Sequence, residues 1–391
     1  MKLEVIKSLA EVGADEWNRL NGAGDPFVSH EFLYGLELHD CLKPQGWYGT
    51  HLILRDNDNV LFAAMPLYVR TNSYGEFVFD WAWADAFERA GGRYYPKLVS
   101  AIPFTPASGN RILVANPDDL TVALPALTEA AIELVGAHSA SSLHILFPNE
   151  EQAQQLKQKD LLIRAGCQYH WFNRDYDSFD QFLQALNSKR RKQIRRERRD
   201  ASAPGITIDV LYGDAITASH WSIFHEFYCS TFYRKWGEPR LTESFFNYLS
   251  ESMPDAPLLV LGKHEGEYVA GSFSMRGSDT LYGRHWGCSQ HFKQLHFELC
   301  YYQTIEFCIE QKLHKFDAGA QGEHKVMRGF DPVKTWSAHW IDDPRLRDAI
   351  AEFLQRETQH IDGYVEEISG HTPYKNLPSF DDSIRIADAP E

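Results

Sequence analysis

The sequence predicts a mixed α/β protein built from two tandem domains of similar architecture. Three observations support this fold class. The chain has 391 residues, the length of two or three ordinary domains. Segments with the two-residue alternation of strands are interleaved with segments that have the periodicity of amphipathic helices. The same order of predicted elements occurs twice, on either side of a boundary near residue 174, so the predicted domains are 1–174 and 175–391.

The first predicted domain begins with one strand and two helices. Ser29 is a suitable N-cap for the second helix, because its hydroxyl can accept a hydrogen bond from an N–H group of the first turn. A turn rich in Asp and Asn at 56–59 separates two later strands. The predicted strands are 3–6, 51–55, 60–69, 111–114, 143–147 and 167–172, and the predicted helices are 14–20, 29–40, 118–137 and 149–158.

The second predicted domain follows the same order. Turns at 265–266 and 277–279 connect three consecutive strands in its middle. The predicted strands are 206–212, 258–263, 267–276, 280–286, 315–317 and 335–341, and the predicted helices are 218–235, 242–252, 293–312 and 344–368.

A GNAT domain, the fold of the acyl-CoA N-acyltransferases, has a typical order of elements. This order is a strand, two helices, three meandering strands, a helix and further strands. The two halves share no sequence self-similarity, so the repeat rests on the order of the elements alone. The prediction is two tandem GNAT-like domains.

The composition is typical of a globular enzyme that keeps its thiols reduced. Hydrophobic residues make up 43% of the chain, too many for a disordered protein. The six cysteines form no C-x-x-C pair, which indicates free thiols in a reducing compartment. The N-terminus has no apolar stretch of signal-peptide length, and no run of about 18 apolar residues occurs, so we expect no membrane span. Cytoplasmic localisation is the resulting prediction.

The charge of the chain is unevenly distributed. The net charge is −15, but residues 189–199 carry eight basic residues and one acidic residue, a local +7. The rest of the chain therefore carries about −22 (−15 minus +7), and such an acidic body disfavours broad wrapping around a polyanion. We predict a basic helix at 187–202. It has three interpretations: pairing with acidic residues of this chain, binding of an external anion such as phosphate, or a solvated helix face.

Residues 73–111 form an aromatic segment in the first predicted domain. Acids beside aromatic surface need a partner or a ligand to satisfy them. The segment therefore predicts either the wall of a substrate cleft or an aromatic interface between domains. Under the first interpretation, the residues that bind the acceptor are Asp80, Trp81, Trp83, Asp85, Tyr94 and Tyr95.

Residues 281–289 end a predicted strand just ahead of a long helix. In GNAT enzymes this junction has the pattern R/Q-x-x-G-x-G/A and holds the pyrophosphate of the donor on backbone N–H groups, because glycine lets the backbone approach phosphate closely. Here the junction is R-x-x-G-x-S, formed by Arg284, Gly287 and Ser289. These three residues are candidates for donor binding, and a plain β-turn is the alternative.

Residues 319–340 form a glycine-bounded loop followed by a strand. The loop carries Glu323, His324, Lys325 and Arg328, and loops at strand ends commonly display catalytic groups. We predict Glu323, His324 and Lys325 as catalytic residues, with His324 as the base towards an attacking amine. Lys325 and Arg328 are expected to neutralise a donor phosphate or an oxyanion. A structural ion-pair cluster is the alternative.

Other motifs are absent or less specific. His291, His296 and Glu298 lack the H-E-x-x-H spacing of a zinc site, so no metal is expected. There is no G-x-S-x-G and no Walker loop, which removes support for a hydrolase or a P-loop enzyme. His339 alternates with two tryptophans on a predicted strand and is interpreted as a packed histidine rather than a catalyst.

Several long segments together resemble the bacterial FemAB-like family, whose label is peptidoglycan biosynthesis/recognition and which is placed in the GNAT superfamily. They include SYGEFVFDWAWADAFERAGGRYYPKL, IPFTPASGNRIL, the basic run, LYGRHWG, HFELCYY and GAQGEHKVMRGFDP…SAHW, and they extend over about 25–345. The resemblance implies kinship with Fem transferases, which move amino acids from aminoacyl-tRNA to the peptide of a cell-wall precursor. The chain lacks the long coiled-coil arm of many Fem enzymes, which argues against tRNA.

The predicted function is transfer of an acyl or aminoacyl group to an amine acceptor, with a small molecule or a cell-wall precursor as acceptor. The donor is expected to be acyl-CoA or aminoacyl-tRNA, bound in the second domain, with no permanently bound cofactor. Catalysis would consist of positioning and of stabilising a tetrahedral oxyanion. The alternative is a non-catalytic module that binds cell-wall fragments.

Overall fold

Two β-sheets with helices packed on their faces form the fold. The computed structural model describes residues 1–234, 237–320 and 322–375. The strands of the first half are β1 (Lys2–Ile6), β2 (Trp47–Gly49), β3 (His51–Arg55), β4 (Leu61–Met65), β5 (Tyr68–Arg70), β6 (Lys97–Ser100), β7 (Leu113–Val114), β8 (Ser142–Leu146) and β9 (Leu162–Phe172). Its helices are α1 (Ala14–Asn18), α2 (His30–Leu38), α3 (Trp81–Arg89), α4 (Leu120–Ala137) and α5 (Glu150–Lys157).

The second half contributes the remaining elements. Its helices are α6 (Phe179–Ala185), α7 (Ser188–Ser202), α8 (Ala218–Tyr233), α9 (Glu243–Ser252), α10 (Leu295–Phe297), α11 (Gln303–Glu310) and α12 (Pro344–Ser369). Its strands are β10 (Thr207–Tyr212), β11 (Pro257–His264), β12 (Glu267–Arg276), β13 (Thr280–Cys288), β14 (Lys315–Asp317) and β15 (Asp331–Ile341). A π-helical turn (Glu298–Tyr302) connects α10 to α11, and a 3₁₀ segment (Glu323–Arg328) precedes β15.

One strand of the second half lies among the strands of the first. The small sheet has the order β1-β3-β4-β7, and the large sheet has the order β10-β11-β12-β13-β14-β9-β15-β8-β6-β5-β2. In the large sheet β15 pairs antiparallel with β9 on one side and with β8 on the other. The sheet is therefore continuous across the predicted boundary at residue 174, which lies between β9 and α6. The boundary itself stays a prediction.

Parallel strand pairs occur in both halves. β6 runs parallel to β8, and β13 runs parallel to β14. In each pair the chain leaves the first strand, passes through helix (α4 in one half, α10 and α11 in the other) and returns to the second strand, as a parallel connection requires. This repeated unit confirms the predicted fold class, a mixed α/β protein with two tandem GNAT-like units.

Several elements of the structure begin or end at other residues than the sequence predicts. The predicted strand 60–69 is two strands, β4 and β5, because the chain leaves the small sheet at Pro66, which has no N–H group to donate. The predicted helix 293–312 begins at Leu295 and contains the π turn. α3 was not predicted and forms inside the aromatic segment. Residue 235, the end of another predicted helix, lies outside the described residues. The N-cap role of Ser29 is confirmed, since its side chain accepts from the N–H of Phe32.

Helix α4 forms part of the core of the first half. The helical stretch Pro117–Ala137 has the length and the mean hydropathy, 1.5, of a membrane-crossing helix. Its buried side chains pack in one cluster with residues of β3, β4 and β8. Core helices meet the same length and hydropathy criterion, so this helix does not establish a membrane span.

The space beyond the parallel strands of the first half is filled by the loop that follows β6. The buried Arg111 donates from Nε to the backbone oxygen of Leu146 at 2.8 Å and from Nη1 to that of Asn110 at 3.0 Å. Its Nη2 donates to the oxygen of Ala107. Burial lowers the pKa of Arg111 to about 10, so the guanidinium stays charged at neutral pH. This arginine ties the loop to the end of β8.

Replacing Arg111 should destabilise the fold. We expect Arg111→Met to lower the free energy of unfolding by about 3 kcal/mol, because buried carbonyls lose their donor. Burial raises the pKa of Asp25, and the charge of Arg111 opposes this rise. The substitution removes that charge. Urea denaturation measures the change. Arg345→Met, at an exposed arginine, is the matched control, with an expected change below about 0.5 kcal/mol. Equal stability of the two variants would contradict the structural role of Arg111.

Candidate functional site

A cavity of about 540 Å³ lies where the parallel strands of the second half separate. β13 and β14 pair only over 280–282 and 315–317. Beyond these residues, 283–286 on one side and 318–320 on the other line the space between them, which we call the wedge cavity. A recess of about 140 Å³ extends it towards Ser272 and Cys300. Because the two strands separate here, there is space between them for a ligand.

Arg284 lines the wedge cavity from a β-bulge. The register between β12 and β13 shifts at Phe273 and Ser274, which leaves Arg284 as the extra residue of the bulge. Its guanidinium donates a hydrogen bond to the backbone oxygen of Phe104, in the loop after β6. Burial lowers the pKa of Arg284 to about 10, so it remains a cation at neutral pH. The structure thus places this donor-binding candidate at the cavity wall.

Lys325 is the second predicted residue that lines the wedge cavity. Its side chain is buried, and Nζ donates to the backbone oxygens of Ala318 at 2.9 Å and Gly319 at 2.7 Å. An ammonium group has three N–H donors, so one remains for a ligand. Burial lowers the pKa of Lys325 to about 8, while the nearby carboxylate of Asp317 raises it. The amine is therefore mostly protonated at pH 7.

The wedge cavity has a positive lining. Arg240, which the sequence gave no reason to select, joins Arg284 and Lys325 as a third cation, and none of the described lining residues is acidic. Burial lowers the pKa of His285 well below its usual value and that of His296 to about 4, so both imidazoles are neutral at pH 7. Three cations in a lining that has no acidic side chain favour an anionic ligand.

Gly287 and Ser289 lie outside the wedge cavity, contrary to the predicted phosphate contact. A Cβ atom on Gly287 would lie 2.1 Å from the backbone oxygen of Phe227 in α8, so this glycine permits close packing of helix on strand. The side chain of Ser289 donates to the backbone oxygen of Val269 at 3.2 Å, which ties the end of β13 to β12. The R-x-x-G-x-S pattern therefore reflects packing here.

This packing makes a stability prediction. Gly287→Ala should lower the free energy of unfolding by about 3 kcal/mol, because the added methyl group overlaps the backbone of α8. Gly136→Ala is the control, since a Cβ there meets nothing within 4 Å and alanine favours the helix. Thermal unfolding of both variants measures the effect. A fully stable Gly287→Ala protein would contradict the packing role and would restore the phosphate interpretation.

The aromatic segment contributes a different set of side chains from the one predicted. Trp81 lines the wedge cavity with 46% of its surface exposed. Tyr74, Phe77 and Phe79 line it as well and were not selected from the sequence. They precede α3 in a stretch where Phe77 has a φ of 60°, a conformation that the sequence pattern does not reveal.

Asp80 and Tyr94 belong to a buried ion-pair network instead of the cleft. Asp80 is only 2% exposed and accepts from the Tyr94 hydroxyl at 2.7 Å and from Lys97 Nζ at 2.5 Å. Glu76 accepts from the same Nζ at 2.7 Å and pairs with Arg70. Unpaired buried charges are costly. Asp80 and Glu76 are therefore paired with basic side chains of the chain itself and not with a ligand.

The remaining acceptor candidates also lie away from the wedge cavity. Trp83 is buried against His144 and His339, and this packing of His339 agrees with the sequence interpretation. Asp85 is exposed and pairs with Arg89 one helical turn away. The Tyr95 hydroxyl lies 2.8 Å from the hydroxyl of Ser73, a residue that does line the cavity.

A second cavity, of about 430 Å³, adjoins the first. We call it the side cavity. Phe77, Phe79 and Ala320 line both cavities, so the two spaces are neighbours. The side cavity lies over β9 and β15 beneath α12, and Glu323 forms part of its wall. The structure therefore brings Glu323 and Lys325 to two adjoining cavities, one residue in each.

His324 lies between these two residues in sequence but lines neither cavity. Its side chain packs beside Phe297 and Tyr301, and Nε2 lies 3.1 Å from the Tyr301 hydroxyl. Tyr301 does line the wedge cavity. Burial, assisted by the charges of Arg328 and Lys325, lowers the pKa of His324. A neutral imidazole at this place can accept the tyrosine hydrogen bond, so His324 contacts the cavity only through Tyr301.

A family model described as peptidoglycan biosynthesis/recognition matches residues 8–376, nearly the whole chain. The chain belongs to the FemAB-like family. This finding confirms the resemblance seen in the sequence.

Solved structures of low sequence identity share this fold. A crystal structure of FemX is 14% identical with a TM-score of 0.55, and the match covers 90% of this chain and 100% of FemX. L-PGS from Bacillus licheniformis is 11% identical with a TM-score of 0.50, and the match covers 86% of this chain and 97% of that one. Curated protein sequences gave no match. These likenesses establish the FemAB-like chain's fold and not its substrate.

Arg328 takes part in a buried ion pair of the FemAB-like chain instead of lining a cavity. Its Nη2 lies 3.0 Å from a carboxylate oxygen of Glu197 in α7, and its Nε donates to the Tyr302 hydroxyl at 3.0 Å. The guanidinium also lies 3.5 Å from the centre of the Phe297 ring. The predicted donor contact of Arg328 is therefore replaced by a structural role, anchoring the 3₁₀ segment to α7.

The basic helix pairs with acids of the chain on only part of its surface. Arg198 contacts Glu298 at 3.1 Å and Glu306 at 2.8 Å, and Arg195 contacts the exposed Asp180 at 3.0 Å. Four further exposed cations have no ion pair within the described residues. They are Lys189, Lys192, Arg196 and Arg199. Both internal pairing and a cationic outer face are thus present, on adjoining sides of α7.

Two neighbouring arginines of α7 separate these roles. Arg198→Ala should lower the free energy of unfolding by about 2–3 kcal/mol, because it leaves the buried carboxylate of Glu298 without its cation. Arg199→Ala, the control, should change it by less than about 0.5 kcal/mol and relieves repulsion between like charges. Chemical denaturation in low salt measures both. A larger loss for Arg199→Ala would show that the outer face is also paired within the chain.

Metal binding finds no support in the described residues. No group of three or more His, Cys, Asp and Glu side chains there is arranged to hold a metal ion. Glu298 instead pairs with Arg198, and His296 packs beside Trp286.

Proposed function

We propose that this FemAB-like protein transfers an acyl or aminoacyl group from an anionic donor in the wedge cavity to an amine acceptor. Family membership supports a role in peptidoglycan biosynthesis or recognition. The observation that carries the proposal is the wedge cavity itself, where two parallel strands separate beside three cations. Phosphate groups of a donor such as acyl-CoA would be attracted by those cations, and its acyl arm would lie between the separated strands.

The proposed reaction uses Lys325 as the electrophilic group. The acceptor amine forms a bond to the acyl carbon, and the carbonyl oxygen becomes an oxyanion. The free N–H of Lys325 donates to that oxyanion, and a fixed ammonium in a buried site stabilises it more strongly than water does. The tetrahedral intermediate then expels the donor's leaving group, which takes up the proton lost by the amine. Tyr301, held by His324, would position the reacting groups.

In this proposal the acceptor enters through the side cavity and reaches the wedge cavity past Phe79, which lines both. A cell-wall precursor is the acceptor that the family suggests, and we expect the reaction to occur in the cytoplasm. Aminoacyl-tRNA is the alternative donor. Its binding would weaken steeply with salt because many phosphate contacts release counterions, whereas acyl-CoA binding would depend only modestly on salt.

A non-catalytic binding module is the competing function. In the first half the loop that carries Arg111 fills the space beyond β6, so that half would offer no room for a donor. Release of free thiol from acetyl-CoA, measured with mixed amine acceptors, separates the two functions. Saturable binding without any turnover would favour the binding module.

Removing Lys325 should weaken donor binding in a pH-dependent manner. Lys325→Met should reduce the affinity for acetyl-coenzyme A, which has no free thiol to titrate, about tenfold at pH 7, because the charge-assisted hydrogen bond to its thioester oxygen is lost. In the unsubstituted protein the affinity should fall as the pH rises through about 8, where Lys325 loses its proton. The variant should lose this pH dependence. Isothermal titration calorimetry measures the affinity.

Lys334→Met is the matched control, because Lys334 pairs with Asp362 and lines neither cavity. Its affinity and pH profile should equal those of the unsubstituted protein. Identical profiles for Lys325→Met and the unsubstituted protein would remove Lys325 from the donor site.

A further inference from the structure

The side cavity carries an acidic charge that nothing in the described structure neutralises. Two carboxylates and one guanidinium line it. Arg164 and Glu357 form a two-pronged ion pair, with Nε–Oε2 at 2.8 Å and Nη2–Oε1 at 2.7 Å. The third nitrogen, Nη1, donates to the backbone oxygen of Phe79 at 2.8 Å. The charge of Arg164 is therefore paired with Glu357, and the charge of Glu323 remains.

Tyrosine hydroxyls hold Glu323 in the cavity wall. The Tyr364 hydroxyl donates to a carboxylate oxygen of Glu323 at 2.7 Å, and the Tyr169 hydroxyl lies 2.5 Å from that of Tyr364. Both tyrosines also line the cavity. Among the described residues Glu323 has no cationic partner within 4.0 Å. An ionised carboxylate has about four acceptor positions, so most of those on Glu323 remain available.

The rest of the wall is rich in aromatic rings. Six aromatic residues line the side cavity: Phe77, Phe79, Phe147, Tyr169, Trp336 and Tyr364. Aromatic faces attract cations, and aromatic walls around a carboxylate are suited to quaternary ammonium groups in particular. The charge and the wall chemistry thus favour the same kind of ligand.

We propose that the side cavity binds an ammonium group, with Glu323 as its counter-ion. As part of an acceptor site this rests on the proposed function, whereas cation binding itself does not. The bound cation is a recognition group and not the reacting amine. A carboxylate next to an amine raises the pKa of that amine, and an amine must lose its proton before it attacks an acyl carbon. The acceptor class is therefore an amine with a second, cationic group.

The two adjoining cavities fit such an acceptor. The wedge cavity presents three cations, which repel an ammonium group, and the side cavity presents the unneutralised carboxylate. An acceptor with its cation beside Glu323 would direct its neutral amine across the shared wall at Phe79 and Ala320. The opposite charge of the two cavities would also prevent a phosphate-bearing donor from binding in the wrong one.

Choline tests the proposal without any transfer reaction, because it has no N–H group to acylate. We expect choline to bind the full chain and to quench its tryptophan fluorescence, and 3,3-dimethylbutanol, its neutral analogue, to bind at least tenfold more weakly. Glu323→Gln should reduce choline affinity at least tenfold, because the counter-ion is lost while the exposed site keeps its shape. Glu352→Gln, which changes the same charge at an exposed position outside the cavity, is the control and should bind choline normally.

Three outcomes would overturn the proposal: no choline binding, equal binding of choline and its neutral analogue, or undiminished binding by Glu323→Gln. Calorimetry with desulfo-coenzyme A on the same samples distinguishes this failure from that of the proposed function. If the protein binds desulfo-coenzyme A but not choline, the ammonium site is ruled out and the proposed function is not.

Discussion

The pairing of β15 with two strands of the first half is the constraint on which the candidate site depends. β14 and β15 lie on opposite sides of β9, and both pair with His170. The chain between them must therefore cross one strand, a gap of about 10 Å at the usual strand spacing. Residues 318–330 are far more than this crossing needs, since an extended residue spans about 3.3 Å. The excess forms the loop and 3₁₀ segment that carry Glu323 and Lys325.

Two contacts hold that excess chain in one place. Arg328 anchors its end to Glu197 of α7, and Lys325 binds the carbonyl groups at its start. Because a 3₁₀ segment has three residues per turn, side chains two positions apart point in different directions. Glu323 and Lys325 consequently face different cavities, although only one residue separates them. The separation of negative and positive charge in the site follows from this short segment.

The sequence predicted the fold more fully than the site. Alternation and helical periodicity report which face of an element is buried, and this was enough to predict the repeated GNAT-like order. The same information does not say whether a glycine faces a ligand or another helix, and the structure packs Gly287 against α8. It also does not distinguish an acid that binds a ligand from one that pairs with a distant lysine, as Asp80 does with Lys97. Arg284 and Lys325, selected from a short pattern and from a glycine-bounded loop, do line the wedge cavity.

The two halves differ in the space beyond their parallel strands. In the first half the loop after β6 turns back between the strands, and Arg111 binds the carbonyl groups that a ligand would otherwise use. In the second half the equivalent space stays open, because α8 packs on β13 at Gly287 and leaves the side towards β14 free. The charge of Arg111 is cancelled by no adjacent ion pair, only by carbonyl dipoles and the more distant Asp25. A ligand in this space would have to displace the buried cation, which is why the proposed function assigns the donor to the second half.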